Sequence, residues 1–362
     1  ADAASASESA AAMAELAALL GELETRYLSE EYGATTEADR AEGRSFIAHA
    51  LQHAFEAWFE ADPQRPVFTR FVRPDKRLLG DNPDALYYTA PVDASHRYRI
   101  RGNVAGADYT SFSIEIGTSD GHGSRGLSST LNDTEFSVAA DGSFELIASA
   151  EPAEGDWLPL KAGSGTLTTR HYFENARSIA ADPVKEIPLV IEPLDDPGPP
   201  PPRGDAEIAA GFRRVTTFVR AMTLEMNPKG DRSTPFQSNT PNTFVVPPLR
   251  KKDNSSTGFA AVDNFYVLGD YELEPEQALV IRGRFPRCRF ANLVTWNRYM
   301  QHRDYVHRRT SLNRRQVEFE SDGSYRIVIA HRDPGVPNWI DTEGRPTGRV
   351  FFRFLLPEEQ PA

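Results

Sequence analysis

Residues 139–150 read AADGSFELIASA, and 181 positions later residues 320–331 read ESDGSYRIVIAH. In both, an Asp-Gly-Ser turn leads into a run whose alternate residues are apolar: Phe144, Leu146 and Ala148 in the first, Tyr325, Ile327 and Ile329 in the second. Glycine accepts the positive φ of a tight hairpin, and alternation with period two marks a strand with one buried face. The same offset links Ile100-Arg101-Gly102 to Ile281-Arg282-Gly283 and Leu131-Asn132 to Leu312-Asn313. Blocks that keep one spacing identify an internal repeat. Trp157 then matches Trp339 and Arg170 matches Arg353 after single-residue slips, and upstream Asp81-Asn82 matches Asp263-Asn264. The expected fold is mainly β with α: two tandem jelly-roll-like β-sandwich units, each preceded by an amphipathic helix, arising from an internal duplication.

The rest of the chain is arranged around these copies. Residues 1–62 read as N-terminal helices, because Met13, Leu16, Leu20, Leu23 and Tyr27, and then Ile47, Leu51, Phe55 and Trp58, recur at helical spacing. Thr36 with Asp39 forms the pattern of a capping box for the second helix. Residues 63–192 hold the first sandwich repeat and 193–204 a proline-rich linker, since PLDDPGPPPP favours a stiff polyproline spacer. Residues 205–262 form a helix and a long arm. Ile208, Phe212, Val215, Val219, Met222 and Met226 share one helix face, expected to pack on a sheet. Residues 263–362 are the second repeat.

The chain has 362 residues, 40% of them hydrophobic and 25% charged, with a formal net charge of −12. That balance suits a globular protein and disfavours adhesion to nucleic acid or an anionic membrane. No apolar run approaches the roughly 20 residues that cross a bilayer. The single cysteine, Cys288, excludes an intramolecular disulfide and a thiolate cluster for zinc. A cytoplasmic location is expected, with periplasm or secretion open if a leader precedes Ala1.

The second copy contains WNRY at 296–299, SLNR at 311–314, the Asp-Gly-Ser turn, AHRDPGVPNW at 330–339 and FFRFLLP at 351–357. These motifs resemble the bacterial family catalogued as domain of unknown function 1214, often paired with domain of unknown function 1254, over about residues 264–357. The first copy fits more loosely, through Leu131-Asn132-Asp133, its Asp-Gly-Ser turn and Asp156-Trp157-Leu158-Pro159. The resemblance implies a β-sandwich and no assigned activity, so it carries over no catalytic residue. The chain departs from the usual arrangement in that its first half looks like a copy of its second.

A duplicated scaffold needs matching packing residues, whereas only one copy need keep a site, so chemistry is sought where the copies differ. The second copy has Trp296, Asn297, Arg298 and Tyr299 where the first has Glu115, Ile116, Gly117 and Thr118. Polar and aromatic groups at a strand end can line a pocket, or an interface between the sandwiches. From 298 to 315 runs a basic segment that includes Arg298, Arg303, Arg309, Arg314 and Arg315; its guanidinium forks suit an anionic ligand, or salt bridges to the acidic first half. His331 beside Asp333 has the makings of a general acid–base pair, against a structural histidine that holds the loop to Asn338-Trp339. The substrate-binding set is therefore Trp296, Asn297, Arg298, Tyr299, Arg303, Arg309, Asn313, Arg315 and Trp339, with His331 and Asp333 catalytic. No complete metal set is legible; Asp120 and His122, with Asp133 in reach, would supply two or three ligands.

There is no Gly-x-Ser-x-Gly elbow, no nucleotide glycine fingerprint and no His-Glu-x-x-His. The expectation is a cofactor-independent hydrolase or lyase acting on an anionic or polyhydroxylated small molecule or glycan, with its pocket in or beside the second sandwich. The alternative is a noncatalytic carbohydrate- or ligand-binding or assembly protein, and a homo-oligomer is compatible with either. No nucleic acid, membrane or cofactor is expected as a partner.

Overall fold

A computed structural model describes residues 7–226, 237–238, 240–249 and 259–362. Much of the arm expected over 227–262 lies outside the described residues. Three α-helices are described: α1 (Glu8–Glu22), α2 (Glu37–Ala54) and α3 (Asp205–Arg220). The capping box forms as expected. The Thr36 hydroxyl accepts from the Asp39 amide at 3.0 Å, and the Asp39 carboxylate accepts from the Thr36 amide at 2.9 Å, satisfying two donors that a helix start leaves free.

The helices pack on one another. Leu16, Leu19 and Leu23 from the first, Phe46 and Ile47 from the second, and Val215, Phe218, Val219 and Met222 from the third share one core. Two expectations are corrected here. Helix α3 packs chiefly on α1 and α2 rather than on a sheet, because its apolar face meets two other apolar stripes. On α1 the buried face is turned by about one residue: Ala12 and Leu19 are buried, while Met13 and Leu20 face outward.

The β part is built from strands β1 (Thr69–Arg70), β2 (Ala85–Pro91), β3 (Tyr98–Asn103), β4 (Tyr109–Ile116), β5 (Leu127–Asn132), β6 (Ser143–Ser149), β7 (Trp157–Pro159), β8 (Ser164–Tyr172) and β9 (Leu189–Pro193). After α3 come β10 (Asn264–Glu272), β11 (Ala278–Gly283), β12 (Phe290–Trp296), β13 (Ser311–Asn313), β14 (Tyr325–Ala330), β15 (Trp339–Asp341) and β16 (Thr347–Leu355). The protein is thus mainly β, with three helices and several sheets. In the first half a sheet of order β1-β2-β8-β4-β5 faces one of order β7-β6-β3-β9; in the second, β10-β16-β12-β13 faces β11-β14-β15.

Each pair of sheets encloses its own core. Ile100, Phe112, Ile114, Phe144, Leu146, Ala148 and Leu167 fill the first, and Ile281, Leu293, Tyr325, Ile327, Ile329, Val350, Phe352 and Phe354 the second. The ladders set Ile100 opposite Leu146 and Ile281 opposite Ile327, and the short strands β7 and β15 both run parallel to their neighbours. Both Asp-Gly-Ser turns have the expected geometry. Gly142 and Gly323 have φ of 85° and 81°, and each Asp carboxylate accepts from its Ser amide at 2.9 Å. Trp157 and Trp339 act as half-buried latches, their indole N–H donating to the Ser149 and Ala330 carbonyls at 3.1 Å.

Candidate functional site

Strand alternation decides what lies between the halves. Leu167 points into the first core, so Thr168, Arg170 and Tyr172, all of the other parity, turn to the opposite face of that sheet; Phe352 and Phe354 likewise send Phe351 and Arg353 outward. These outer faces meet. Ala85, Tyr109 and Tyr172 pack on Phe290 and Leu355, with the Tyr172 and Phe290 rings 5.1 Å apart.

A reciprocal polar clamp joins the halves beside this contact. Asp84 accepts from Asn313 at 3.0 Å, from Asn292 at 2.9 Å and from Ser178 at 2.9 Å. Conversely, Asp263 of the second half accepts from Asn132 at 3.0 Å and from the Tyr109 hydroxyl. Each half therefore lends a buried carboxylate to the other's asparagines. The ladders place Ala85 opposite Tyr172 and Asn264 opposite Leu355, which makes Asp84, not Asp81, the positional counterpart of Asp263. Sequence matching of Asp81-Asn82 with Asp263-Asn264 misses this because the chain from Ala85 to Ile100 is two residues shorter than that from Asn264 to Ile281.

Where the two faces diverge they leave a cavity of about 730 Å³. Tyr87, Arg170 and Tyr172 form one wall and Tyr266, Trp296, Phe351 and Arg353 the other. Phe71, Leu78, Leu79 and Met300 add apolar surface, the loop at 122–125 borders the space, and Ala221, Glu225 and Met226 close it at the end of the third helix. A concave, mainly apolar space with a few convergent charges is the usual form of a small-molecule site.

The two arginines have different surroundings. Arg170 donates to Ser113 at 3.0 Å and to the Phe259 carbonyl at 2.7 Å, and its charge faces Glu115 at 3.5 Å. Glu115 is buried, which pushes its carboxyl up against the opposing pull of Arg170, and Ser124 donates to it at 2.5 Å. Arg353 is only 4% exposed. Its guanidinium carbon lies 5.0 Å from the Trp296 ring centroid and 4.8 Å from that of Phe351, one terminal nitrogen donates to the Gly80 carbonyl, and Nη1 has no hydrogen-bond partner among the described residues. No ion pair with a carboxylate is described for it.

Asp81, adjacent to Gly80, also borders the cavity. Its Oδ1 accepts from the His302 amide at 2.7 Å, Oδ2 has no partner, and its carbonyl accepts from the Trp296 indole at 2.9 Å. Burial pushes its carboxyl up to about 6, against the pull of the His302 amide, Arg77 and Arg353. The shift also sets a pH dependence. Between its ordinary value of 3.8 and about 6 the folded state binds the extra proton, so stability falls as pH rises through that window and stays lower above it. Asp81→Asn, which keeps an acceptor for the His302 amide, is expected to gain roughly 2–3 kcal/mol at pH 7.5 and nothing near pH 3.5. Urea unfolding at the two pH values measures this; an equal effect at both would show that Asp81 carries no such shift.

Of the residues expected to bind substrate, only Trp296 lines the cavity. The Asn297 side-chain Oδ1 accepts from the Tyr299 and Gln301 amides and shapes a turn. That turn carries Tyr299 into the helical core, where its ring centroid lies 6.0 Å from that of Phe46, and lets Arg298 donate to the Tyr32 carbonyl. The basic run is dispersed rather than convergent. Arg303 donates to the Tyr271 hydroxyl, Arg308 pairs with Asp341 at 2.7 Å and Arg314 with Glu174 at 3.0 Å, while Arg309 and Arg315 are exposed. Asn313 belongs to the clamp.

His331 and Asp333 lie away from the cavity. The His331 Nε2–H donates to the Leu273 carbonyl at 3.2 Å, so Nδ1 accepts from the Thr342 hydroxyl at 2.6 Å, and both ring nitrogens are engaged. Asp333 accepts from the Gly335 amide in an exposed turn. Asp120 and His122 are in contact at 3.1 Å and His122 borders the cavity, but Asp133 instead pairs with Arg289 at 3.1 Å. Among the described residues no group of three or more His, Cys, Asp or Glu side chains is placed to hold a metal ion, and no helix is long and apolar enough to cross a membrane.

Sequence reading counts Arg170, Arg353 and Asp81 as repeat positions and passes over Tyr87 and Tyr266. The available signal is an arginine inside an apolar strand, as in Phe351-Phe352-Arg353-Phe354-Leu355, because a charge buried there needs a partner or a purpose.

No curated protein matches the chain. The crystal structure of an uncharacterized protein from Burkholderia cenocepacia is similar with a TM-score of 0.82 over 97% of this chain and 95% of that one, at 24% identity, which shows a shared fold. The VPA0106 protein from Vibrio parahaemolyticus is similar at a TM-score of 0.46 and 13% identity, over 86% of this chain and 95% of that one. Most of β12 and all of β13, β14, β15 and β16, with Trp296 and Arg353 on the cavity wall, fall within residues 292–359, and it is this C-terminal part of the chain that matches the family described as protein of unknown function (DUF1214).

Proposed function

We propose that the chain is a duplicated pair of jelly-roll-like sandwiches whose central cavity binds a small anionic molecule with an apolar or aromatic body. The duplication is supported by strand order: β2-β8-β4-β5 is matched by β10-β16-β12-β13, and β7-β6-β3 by β15-β14-β11. The observation that carries the binding reading is Arg353, a buried cation whose Nη1 has no partner, and which has no paired carboxylate, among the described residues.

The comparison of the halves explains its state. In the ladders Glu115 stands opposite Thr166 and Trp296 opposite Arg349, each partner four residues before the equivalent arginine. The first half therefore neutralises Arg170 with Glu115, whereas the second puts Trp296 in that place and leaves Arg353 stacked on rings. A cation held by aromatic faces in a space of low polarity attracts an anion far more strongly than one in water. A carboxylate reaching the guanidinium would give Nη1 the acceptor it lacks. The aromatic and aliphatic walls favour a flat or apolar body over a polyhydroxylated one.

Isothermal titration with 4-nitrobenzoate and its uncharged isostere 4-nitrobenzamide tests the reading. The acid is expected to bind at least tenfold more tightly, with affinity falling as salt rises. Equal binding of the two, or binding by neither, contradicts it.

A further inference from the structure

The loop between β4 and β5 brings to the cavity an imidazole that the anion site does not use, with an exposed carboxylate of the same loop in contact with it. Gly121 has φ of 96°, and a Cβ there would lie 2.2 Å from the Arg214 carbonyl oxygen on α3. Only glycine permits so close an approach, so the loop docks on the helix and its next residue, His122, borders the cavity. Asp120 holds this residue twice. Its Oδ1 accepts from the His122 amide at 3.0 Å and its Oδ2 lies 3.1 Å from Nδ1. A carboxylate at Nδ1 fixes that nitrogen as the donor and leaves the Nε2 lone pair free to accept a proton.

Nε2 lies 3.8 Å from Glu225 Oε2, too far for a hydrogen bond. An oxygen atom about 2.8 Å from both would bridge them. The His122 side chain is about one-third exposed, so a proton can reach it. In contrast to His331, whose two nitrogens are both occupied, His122 has one nitrogen oriented and one available.

We infer that Asp120 and His122 form a proton-transfer dyad at the cavity, and that the protein hydrolyses esters of small molecules that carry a separate anionic group. The inference rests on the binding reading above, with Arg353 holding the anion while the ester carbonyl faces the dyad. His122 Nε2 takes a proton from water as the water oxygen bonds to the carbonyl carbon. The tetrahedral intermediate then collapses, the bond from that carbon to the leaving oxygen breaks, and His122 returns the proton to the leaving oxygen. One water is consumed, and an acid and an alcohol are released. His122 is the catalytic residue and Asp120 a positioning residue; Glu225 orients the bridging water.

The probe is 4-nitrophenyl hydrogen succinate, an aryl ester with one free carboxylate, assayed with the full chain. Wild type is expected to release 4-nitrophenolate faster than buffer, and His122→Gln to lose about 100-fold or more of that rate. Asp120→Asn is expected to slow turnover and to move the pH–rate profile, which a merely structural role would not do. Titration with 4-nitrobenzoate separates the two levels. His122→Gln that binds this anion like wild type but turns over slowly supports the dyad. Anion binding by wild type with no release above buffer, or equal release by His122→Gln, overturns the dyad and leaves the binding reading standing. No anion binding by wild type overturns both.

Discussion

Arg353→Met is expected to weaken 4-nitrobenzoate binding by about 100-fold or more, with the protein still folded. Truncating one partner of a buried, hydrogen-bonded charge pair typically costs 2–5 kcal/mol of binding, most of it in the rate of dissociation. Methionine has the length and flexibility to fill the space between Trp296 and Phe351, and it keeps favourable contact with both rings. The change gives up the bond to the Gly80 carbonyl but also removes a buried cation that lacks a paired carboxylate, so stability is expected to move by no more than about 1–2 kcal/mol. Titration calorimetry on the variant, with its unfolding midpoint measured alongside, checks both parts. An unchanged dissociation constant would remove Arg353 from the site.

The second large effect is on stability. Asp84→Ala removes an acceptor of Asn313 and Asn292 at a buried contact between the halves, and of the half-buried Ser178 beside it. Donors left without partners away from water cost about 1–3 kcal/mol each before any relaxation. A loss of about 3–5 kcal/mol is expected, because Asn292 retains the Asn82 side-chain Oδ1 at 2.7 Å and Asn313 the Asn175 carbonyl at 2.9 Å as second acceptors. Guanidinium unfolding at neutral pH measures it. A loss below about 1 kcal/mol would mean that the clamp adds nothing to the association of the sandwiches.

Alternation and turn chemistry made the sandwiches legible. Phe144, Leu146 and Ala148, and Tyr325, Ile327 and Ile329, are buried where period two puts them, and the Asp-Gly-Ser turns have the φ that glycine was expected to supply. Local signals of this kind depend on neighbours in the chain and survive into the fold. The packing partner of a helix does not, and α3 meets two helices because their stripes come from residues more than 150 positions away. The candidate site was harder still, since its residues are brought together from both halves.

The search for differences between the copies found Trp296, because a tryptophan replacing Glu115 is visible in the repeat. It passed over Arg353, whose identity is shared with Arg170 and whose importance lies in what surrounds it. The basic segment at 298–315 offered many guanidinium groups in sequence, yet in space several are engaged with separate partners: Arg298 with Tyr32, Arg308 with Asp341 and Arg314 with Glu174. Charge density along a chain therefore overstated convergence. A single arginine within an apolar strand was the more informative feature, because burial there is costly unless something answers the charge.

The central claim is that an anion binds between the sandwiches at Arg353. A crystal soaked with 4-bromobenzoate, with the bromine located by its anomalous signal, tests it most directly. The predicted result is a carboxylate about 2.7–2.9 Å from the Arg353 guanidinium, with the bromine against the aromatic wall formed by Tyr87, Tyr266 and Phe351. A ligand bound only outside the cavity, or a cavity empty at saturating 4-bromobenzoate, would contradict it.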